Sequence, residues 1–315
     1  MTTNSPIESK PLNIVAIILT FNSQEAIAQV IESCQGLVSR VFVVDSFSTD
    51  NTIEIVESLG CELVQHKFAN YSQQRNWAQA NANLEPDDWV LHLDSDEMLS
   101  PELAKAIVQV KATYHATNQD VEGYLMQRLS YFLGQPIKYG HINPSWHLRL
   151  YRADRGFCEE RLYDQHFVVP GKTQKLEGLL LDLQLTTIER WTAAHNRWSS
   201  AEAIEQIKQW QGQVEQDGDR VLSGKLLSTD WRMQKRWVKN NVWKRVPLFW
   251  RSFIFFFYSY FLRLGFLDGK AGLVYHVLQA FWFKFLIDAK ILEIQLNQQE
   301  QAGDQQVGDR PVKSV

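Results

Sequence analysis

The first hundred residues predict an α/β fold: a mostly parallel sheet with helices on both faces. Three observations carry this. Apolar runs of strand length alternate with segments that are apolar on one helical face. Polar or glycine-containing punctuation separates them. The alternation then repeats without a break up to a fourth strand, which is the pattern of linked strand–helix–strand units.

The elements follow in order. "NIVAIILT" is a continuous apolar run after Pro11 and reads as a buried strand. "NSQEAIAQVIESC" reads as a helix with Asn22 or Ser23 as N-cap and Ile27, Val30 and Ile31 on one face. "VFVVD" is a second strand, and "STDNTIEIVESLG" a second helix ended by Gly60. "CELVQH" is a third strand, "SQQRNWAQANA" a third helix and "DWVLHLD" a fourth strand. Ser100-Pro101-Glu102 then opens a helix, with Ser as N-cap and Pro at its first position. Crossovers in such a sheet are right-handed, and ligands bind beyond the carboxyl ends of the strands. Thr20-Phe21-Asn22, Asp45-Ser46 and Asp94-Ser95-Asp96 are therefore expected on one rim.

Residues 12–115 form this α/β half. From 116 to 185 the signals become shorter and more mixed ("VEGYLMQRLSYFLG", "WHLRLYRA", "QHFVVPGKTQKLEG"), which reads as an α+β half. From Thr186 to residue 297 the pattern is helical. Residues 1–11 read as a disordered lead-in without a secretory signal, and the Gln-rich residues 298–315 as a disordered tail.

Composition excludes several classes. A chain of 315 residues that is 45% hydrophobic and 22% charged can bury a real core. A net charge of -4 gives no overall field favouring nucleic acid. Three scattered cysteines without a CxxC argue against a disulfide scaffold or structural zinc, and fit a reducing cytosol.

The acids of "LHLDSDEML" raise the question of chemistry. Asp94 and Asp96 are two residues apart, so on an extended segment they point the same way. Convergent carboxylates suit a hard divalent cation, and Mg²⁺ or Mn²⁺ completes its shell with water and phosphates. A solvated turn with Glu97 at the next helix N-terminus explains the stretch equally well. Asp45 at the end of another buried strand favours the site.

"ILTFNSQEAI", "VFVVDSFSTDNT", "YSQQRNWA" and "WVLHLDSDE", in this order, resemble the family 2 inverting glycosyltransferases of GT-A fold. "YLMQRLSYFLGQPIKYGHINPSWHLRLYR" and "FLRLGFLDGKAGL" are similar to the lipopolysaccharide-core β-glucosyltransferase branch. The resemblance runs from about Leu12 to Ile294. It implies a metal-dependent inverting transferase that moves a sugar from a nucleotide donor, UDP-glucose, to a lipid-linked or lipopolysaccharide-type glycan, with Mn²⁺ or Mg²⁺ as cofactor. By the same resemblance Thr20 and Asn22 line the nucleotide pocket, Asp45 bonds the base, and Arg75 and Asn76 lie beside the donor. Asp94 and Asp96 form the DxD signature, with Asp96 on the metal and Asp94 on the ribose or metal side.

Inverting transfer needs a base for the acceptor hydroxyl. Relatives often carry a His-Glu pair at the corresponding point, where this chain reads "ERLYDQHFVV". Asp164 is the first candidate, with Glu160 and His166 as alternatives. In "NPSWHLRLYR", Trp146 stacks on a sugar or joins the core, and Arg149 pairs with diphosphate or with a rim acid. Two other readings compete. Sugar-nucleotide synthesis usually shows a Gly-rich, Arg-containing loop after the first strand, which "TFNSQEA" lacks. A non-catalytic, membrane-associated nucleotide-sugar-binding scaffold finds its support in the unusual "YDQHF".

The stretch "WRMQKRWVKNNVWKRVPLFWRSFIFFFYSYFLRLGFL" concentrates Trp, Lys and Arg and then turns apolar. Its uninterrupted run, Ser252 to Leu262, falls far short of the ~20 residues that span a bilayer. A buried core helix is one reading. The other, favoured by the flanking basic residues and Trp, is an in-plane helix on an anionic membrane surface. Together with the resemblance, this makes the cytoplasmic face of the bacterial inner membrane the expected location, peripheral or monotopic.

Overall fold

The computed structural model describes residues 11–117, 119–161, 165–211, 227, 233, 237 and 245–308. The chain divides into two compact units. The first is built on residues up to Leu185 together with Leu267–Gly272, and the second on the greater part of the chain from Thr186 onward.

In the first unit, strands β1 (Ile14–Thr20), β2 (Arg40–Asp45), β3 (Glu62–Gln65) and β4 (Trp89–Asp94) alternate with helices α1 (Ile27–Cys34), α2 (Thr52–Ser58) and α3 (Tyr71–Asn81). Every residue of β1 is buried, as expected of a strand covered on both faces. Its side chains divide by period two: Ile14, Ala16 and Ile18 join one apolar cluster, Ile17 and Leu19 the other. β1 pairs in parallel with both β2 and β4, setting Thr20 level with Asp45 and Leu19 level with Asp94. The carboxyl ends of three strands therefore share one rim.

Then follow β5 (Glu97–Leu99), α4 (Pro101–Thr117), β6 (Val121–Phe132), β7 (Gln135–Pro136), β8 (Ser145–Arg152), β9 (Phe157–Cys158), β10 (Phe167–Val168) and β11 (Lys172–Asp182). The strand order is β3-β2-β1-β4-β8-β6-β11-β5, with β7 paired to β6. The strands of residues 116–185 thus extend the same sheet. β8 runs antiparallel to β4, pairing Leu150 with Leu91, so the start of β8 lies toward the end of β4. β11 is antiparallel to β5, which sets Asp182 opposite Glu97. Gly178 (φ +94) leaves no room for a side chain against the backbone of Leu103, so β11 and α4 approach closely there.

Local signals held at some helix starts and failed at others. Ser100 Oγ accepts from the Leu103 amide (3.2 Å) and caps α4 as read. Neither Asn22 nor Ser23 caps α1, which starts at Ile27 behind an uncapped Ala26. Their side chains are spent elsewhere: Asn22 Oδ1 accepts from the Thr49 amide (2.8 Å), and Ser23 Oγ meets Ser95 Oγ (2.7 Å). Asn22 itself sits in the left-handed region, φ 49.

In the second unit, α5 (Ile188–Trp210) is capped by Thr187. Helix α6 (Trp250–Phe257) runs into a π-helical turn (Tyr258–Leu262). After a 3₁₀ turn (Gly265–Asp268) and α7 (Gly269–His276), of which Leu267–Gly272 count with the first unit, come a second π segment (Val277–Trp282) and α8 (Phe283–Gly308). Helix α5 packs along α8, burying Trp191, Ala203 and Ile207 on one side and Phe283, Ile287 and Ile291 on the other. Residues 298–308 of the expected tail are helical: Gln, Glu and Ala are good helix formers, and extending a nucleated helix costs little. Residues 1–10 and 309–315 lie outside the described residues. Among the described residues, no helix is long and apolar enough to cross a membrane.

Candidate active site

The rim centres on Asp94, the last residue of β4. Arg75, from α3, donates to its Oδ1 (2.7 Å), and Arg149, from β8, donates to its Oδ2 (2.7 Å). The same Arg149 nitrogen reaches Glu97 Oε1 (2.6 Å), and Glu97 Oε2 accepts from the Asp94 amide (3.2 Å). Arg128, from β6, adds longer contacts to Glu97 (3.9 Å) and to Asp182 (3.7 Å). Two of the three arginines are nearly buried. Packing apolar strands on both sides forces these charges out of water, and their mutual pairing offsets the cost.

Three of the rim acids do not fare alike. Burial pushes the Asp94 carboxyl upward, but Arg149 and Arg75 outweigh it and hold the group well below the usual carboxylate range. Burial also raises Glu97, opposed by Arg149 and reinforced by Asp94. Asp96 is pushed well above the usual range by burial and then by Asp182, Asp94 and Glu97. Among the described residues, no hydrogen bond or ion pair reaches its carboxylate, and only its backbone oxygen is engaged, by the Leu183 amide (2.9 Å). Of the two aspartates expected at a cation, Asp94 has both oxygens committed to arginine, while Asp96 lies half-exposed among like charges.

The other expected residues take various positions. Thr20 is buried at the rim, its Oγ1 without a hydrogen-bond partner. Asp45 is fully buried and builds the turn after β2: its carboxylate accepts from the Ser48 amide (2.9 Å), the Ser48 hydroxyl and Gln65 Nε2 (3.1 Å). That engagement leaves it shaping the rim rather than facing solvent. Asn76 turns away from Asp94 and exchanges hydrogen bonds with the Cys158 backbone (2.9 and 2.8 Å). It is one of three α3 residues, with Ser72 and Gln79, that tie the segment after β8 to the helix. Trp146 is half-buried against the sheet, with Lys175 Nζ 4.5 Å from its ring centre. Arg149 pairs with the rim acids Asp94 and Glu97.

Asp164 lies outside the described residues. Glu160 is exposed. His166 donates its backbone amide to Glu159 Oε1 (2.9 Å), and its Nδ1 lies 3.1 Å from the same oxygen.

Sequence reasoning passed over four participants. Glu159 is fully buried yet adjoins the residue that was singled out. Phe167 covers both Arg75 and Arg149, its ring centre 5.3 and 5.7 Å from their guanidinium carbons, and its ring also meets His92. Asp182 carried a usable signal: "LLLD" is an apolar run ending in an acid, the same pattern as "VFVVD" and "LHLD". Arg128 carried none, because its role depends on strand pairing across the sheet.

Comparison with known proteins agrees with this architecture. The family described as glycosyl transferase family 2 matches residues 15–165. An uncharacterized glycosyltransferase of Rickettsia felis is 28% identical over 294 residues, 89% of each chain. One from Rickettsia prowazekii is 27% identical over 298 residues, covering 91% of this chain and 89% of that one. A lipopolysaccharide core biosynthesis glycosyltransferase, LpsC of Rhizobium meliloti, is 22% identical over 62% of this chain and 73% of its own. Among solved structures, glucosyl-3-phosphoglycerate synthase of Mycobacterium tuberculosis, in complex with Mn²⁺, UDP and glucosyl-3-phosphoglycerate, aligns with a TM-score of 0.30 at 20% identity. That match covers 38% of this chain and 44% of the solved one, a likeness too slight to bear on function. With the match over residues 15–165, relatives along most of its length and an acid-tipped parallel sheet, this region of the chain is a family 2 glycosyltransferase domain.

Proposed function

We propose that this enzyme transfers a sugar, with inversion, from a nucleoside-diphosphate donor to a lipid-linked or lipopolysaccharide-type glycan, with Mn²⁺ or Mg²⁺ held at Asp96. The observation that carries the reading is the Asp96 carboxylate, half-exposed at the strand-end rim and crowded by Asp94, Glu97 and Asp182. Such a group gains from a cation. No three His, Cys, Asp or Glu side chains among the described residues could hold a metal unaided. The fit is therefore to an ion that takes one or two carboxylates and completes its shell with water and donor phosphates. When bound, the cation neutralises the charge that builds on the leaving diphosphate.

The chain's own residues supply the rest. Arg75 and Arg149 hold Asp94 ionised and fix the end of β4, so Asp96 projects from a rigid strand end. An acceptor hydroxyl oxygen attacks the anomeric carbon and forms the new C–O bond. The bond from that carbon to the phosphate oxygen breaks, and the nucleoside diphosphate leaves with the electron pair. The hydroxyl proton passes to a base, for which Asp164 stands first, with Glu160 and the Glu159-held His166 as alternatives. The anomeric carbon is oxocarbenium-like in between. UDP-glucose as donor rests on the motif resemblance, and the glycan class also on the similarity to a lipopolysaccharide core enzyme.

The test is UDP release from UDP-glucose by purified protein with and without Mn²⁺, in wild type and Asp96→Asn. Cation-dependent release should fall on the order of 10²–10³-fold in the variant. Unchanged release would remove the cation from Asp96. No release from any nucleotide sugar, with donor binding retained, would favour the binding scaffold.

A further inference from the structure

Helix α6 is built with its polarity reversed. From Trp250 through the π turn, Trp250, Phe253, Ile254, Phe257, Phe261 and Leu262 are exposed, at the three- and four-residue spacing of one helical face. Trp250 is 69% and Leu262 65% exposed. The opposite face carries the polar residues and is buried. Arg251 donates from Nε to Asp288 Oδ1 of α8, Asp288 Oδ2 accepts from the Phe249 amide (2.7 Å), and Ser259 Oγ lies 3.0 Å from His276 Nδ1. A helix facing water presents the other arrangement. This one satisfies its polar groups internally and leaves aromatic rings outward, as chains do where the surroundings cannot hydrogen-bond.

We infer that this face is a monotopic lipid anchor. It lies in the plane of one leaflet of an anionic bilayer, with the six outward side chains at the boundary between headgroups and acyl chains. Three observations select lipid rather than another protein. The reversal extends to charge: the acid of this face's own neighbourhood, Asp288, is buried against Arg251. The sequence leading into the helix, Arg232 to Arg245, carries six basic residues and no acid, which complements anionic headgroups. Trp231, Trp237, Trp243 and Trp250 recur every six or seven residues there, and indole rings favour the headgroup level. No described helix is long and apolar enough to cross, so the anchor enters one leaflet only. The inference stands apart from the sugar-transfer reading, since no donor, cation or acceptor takes part in it.

The experiment floats the full-length protein, diluted from detergent, with vesicles of equal parts phosphatidylethanolamine and phosphatidylglycerol. Wild type is expected to float with the vesicles. Phe253→Asp/Phe257→Asp should lower partitioning at least about 10-fold, while Phe253→Leu/Phe257→Leu retains it. Circular dichroism and thermal unfolding check that both variants fold. If the Asp pair does not fold, tryptophan quenching by brominated lipid replaces it: Trp250→Phe should remove part of the quenching, and an undiminished signal overturns the anchor. Equal flotation of wild type and the Asp pair also overturns it. So does a concentration-dependent dimer without lipid that the Asp pair dissolves, since that assigns the face to a second copy of the chain.

Discussion

The two units bury charge for opposite ends. In the first, apolar strands fill both faces of the sheet and the charged residues gather at one rim, where Asp94, Asp96, Glu97 and Asp182 outnumber the arginines that reach them. In the second, Arg251 and Asp288 form a one-to-one pair beneath a helix whose aromatic side chains point outward. The unbalanced cluster leaves uncompensated negative charge at the rim. A balanced pair is complete in itself and fixes only how α6 sits on α8.

Deleting one partner tests this contrast most severely. Arg149→Leu strips Asp94 and Glu97 of their shared cation and should cost about 3–5 kcal/mol by denaturant unfolding. Arg251→Leu should cost a similar amount, because Asp288 is left charged and buried. The double change Arg251→Leu/Asp288→Leu should recover most of that loss and leave UDP release untouched. A double variant as damaged as the single one would mean the second pair is more than a structural clasp.

Acid sharpens the comparison next. His195, stacked on Trp191 at 3.4 Å, is pushed down to about 4 from its ordinary 6.5, chiefly by burial. The folded state therefore binds fewer protons than the unfolded one between those values. Its contribution is intact above pH 6.5 and is lost as pH falls toward 4, by up to about 3 kcal/mol. The loss should appear as a falling Tm of the full chain over that window, blunted in His195→Phe. Equal acid sensitivity in the variant would place the titration elsewhere.

The smallest expected effect belongs to the first unit's packing. Gly178→Ala must fit a methyl group against the Leu103 backbone at a left-handed φ, costing about 1–3 kcal/mol. A neutral result would show that α4 can move away from β11 and that the sheet's far edge is softer than its rim.

The parallel half was legible because β1, β2 and β4 are apolar runs buried nearly throughout. "NIVAIILT" and "DWVLHLD" needed no tertiary knowledge to be read. The α1 cap was misread because Asn22 and Ser23 bond to Thr49 and Ser95, partners 27 and 72 residues away. Asp182 escaped notice although it ends an apolar run, since its strand is parallel to one neighbour and antiparallel to another. The short strands β9 and β10 have too few residues to show a period at all.

By itself the sequence determined the strand–helix order, the acids at the strand ends and the family that their motifs resemble. Those depend on local periodicity and on residue types within a few positions of each other. Only the tertiary structure decided which acid is paired with arginine and which is left among like charges, because Arg75, Arg149 and Arg128 reach the rim from three separate elements. It also decided which way α6 turns its aromatic rings. A run apolar on most sides has no inside of its own until the buried Arg251–Asp288 pair gives it one.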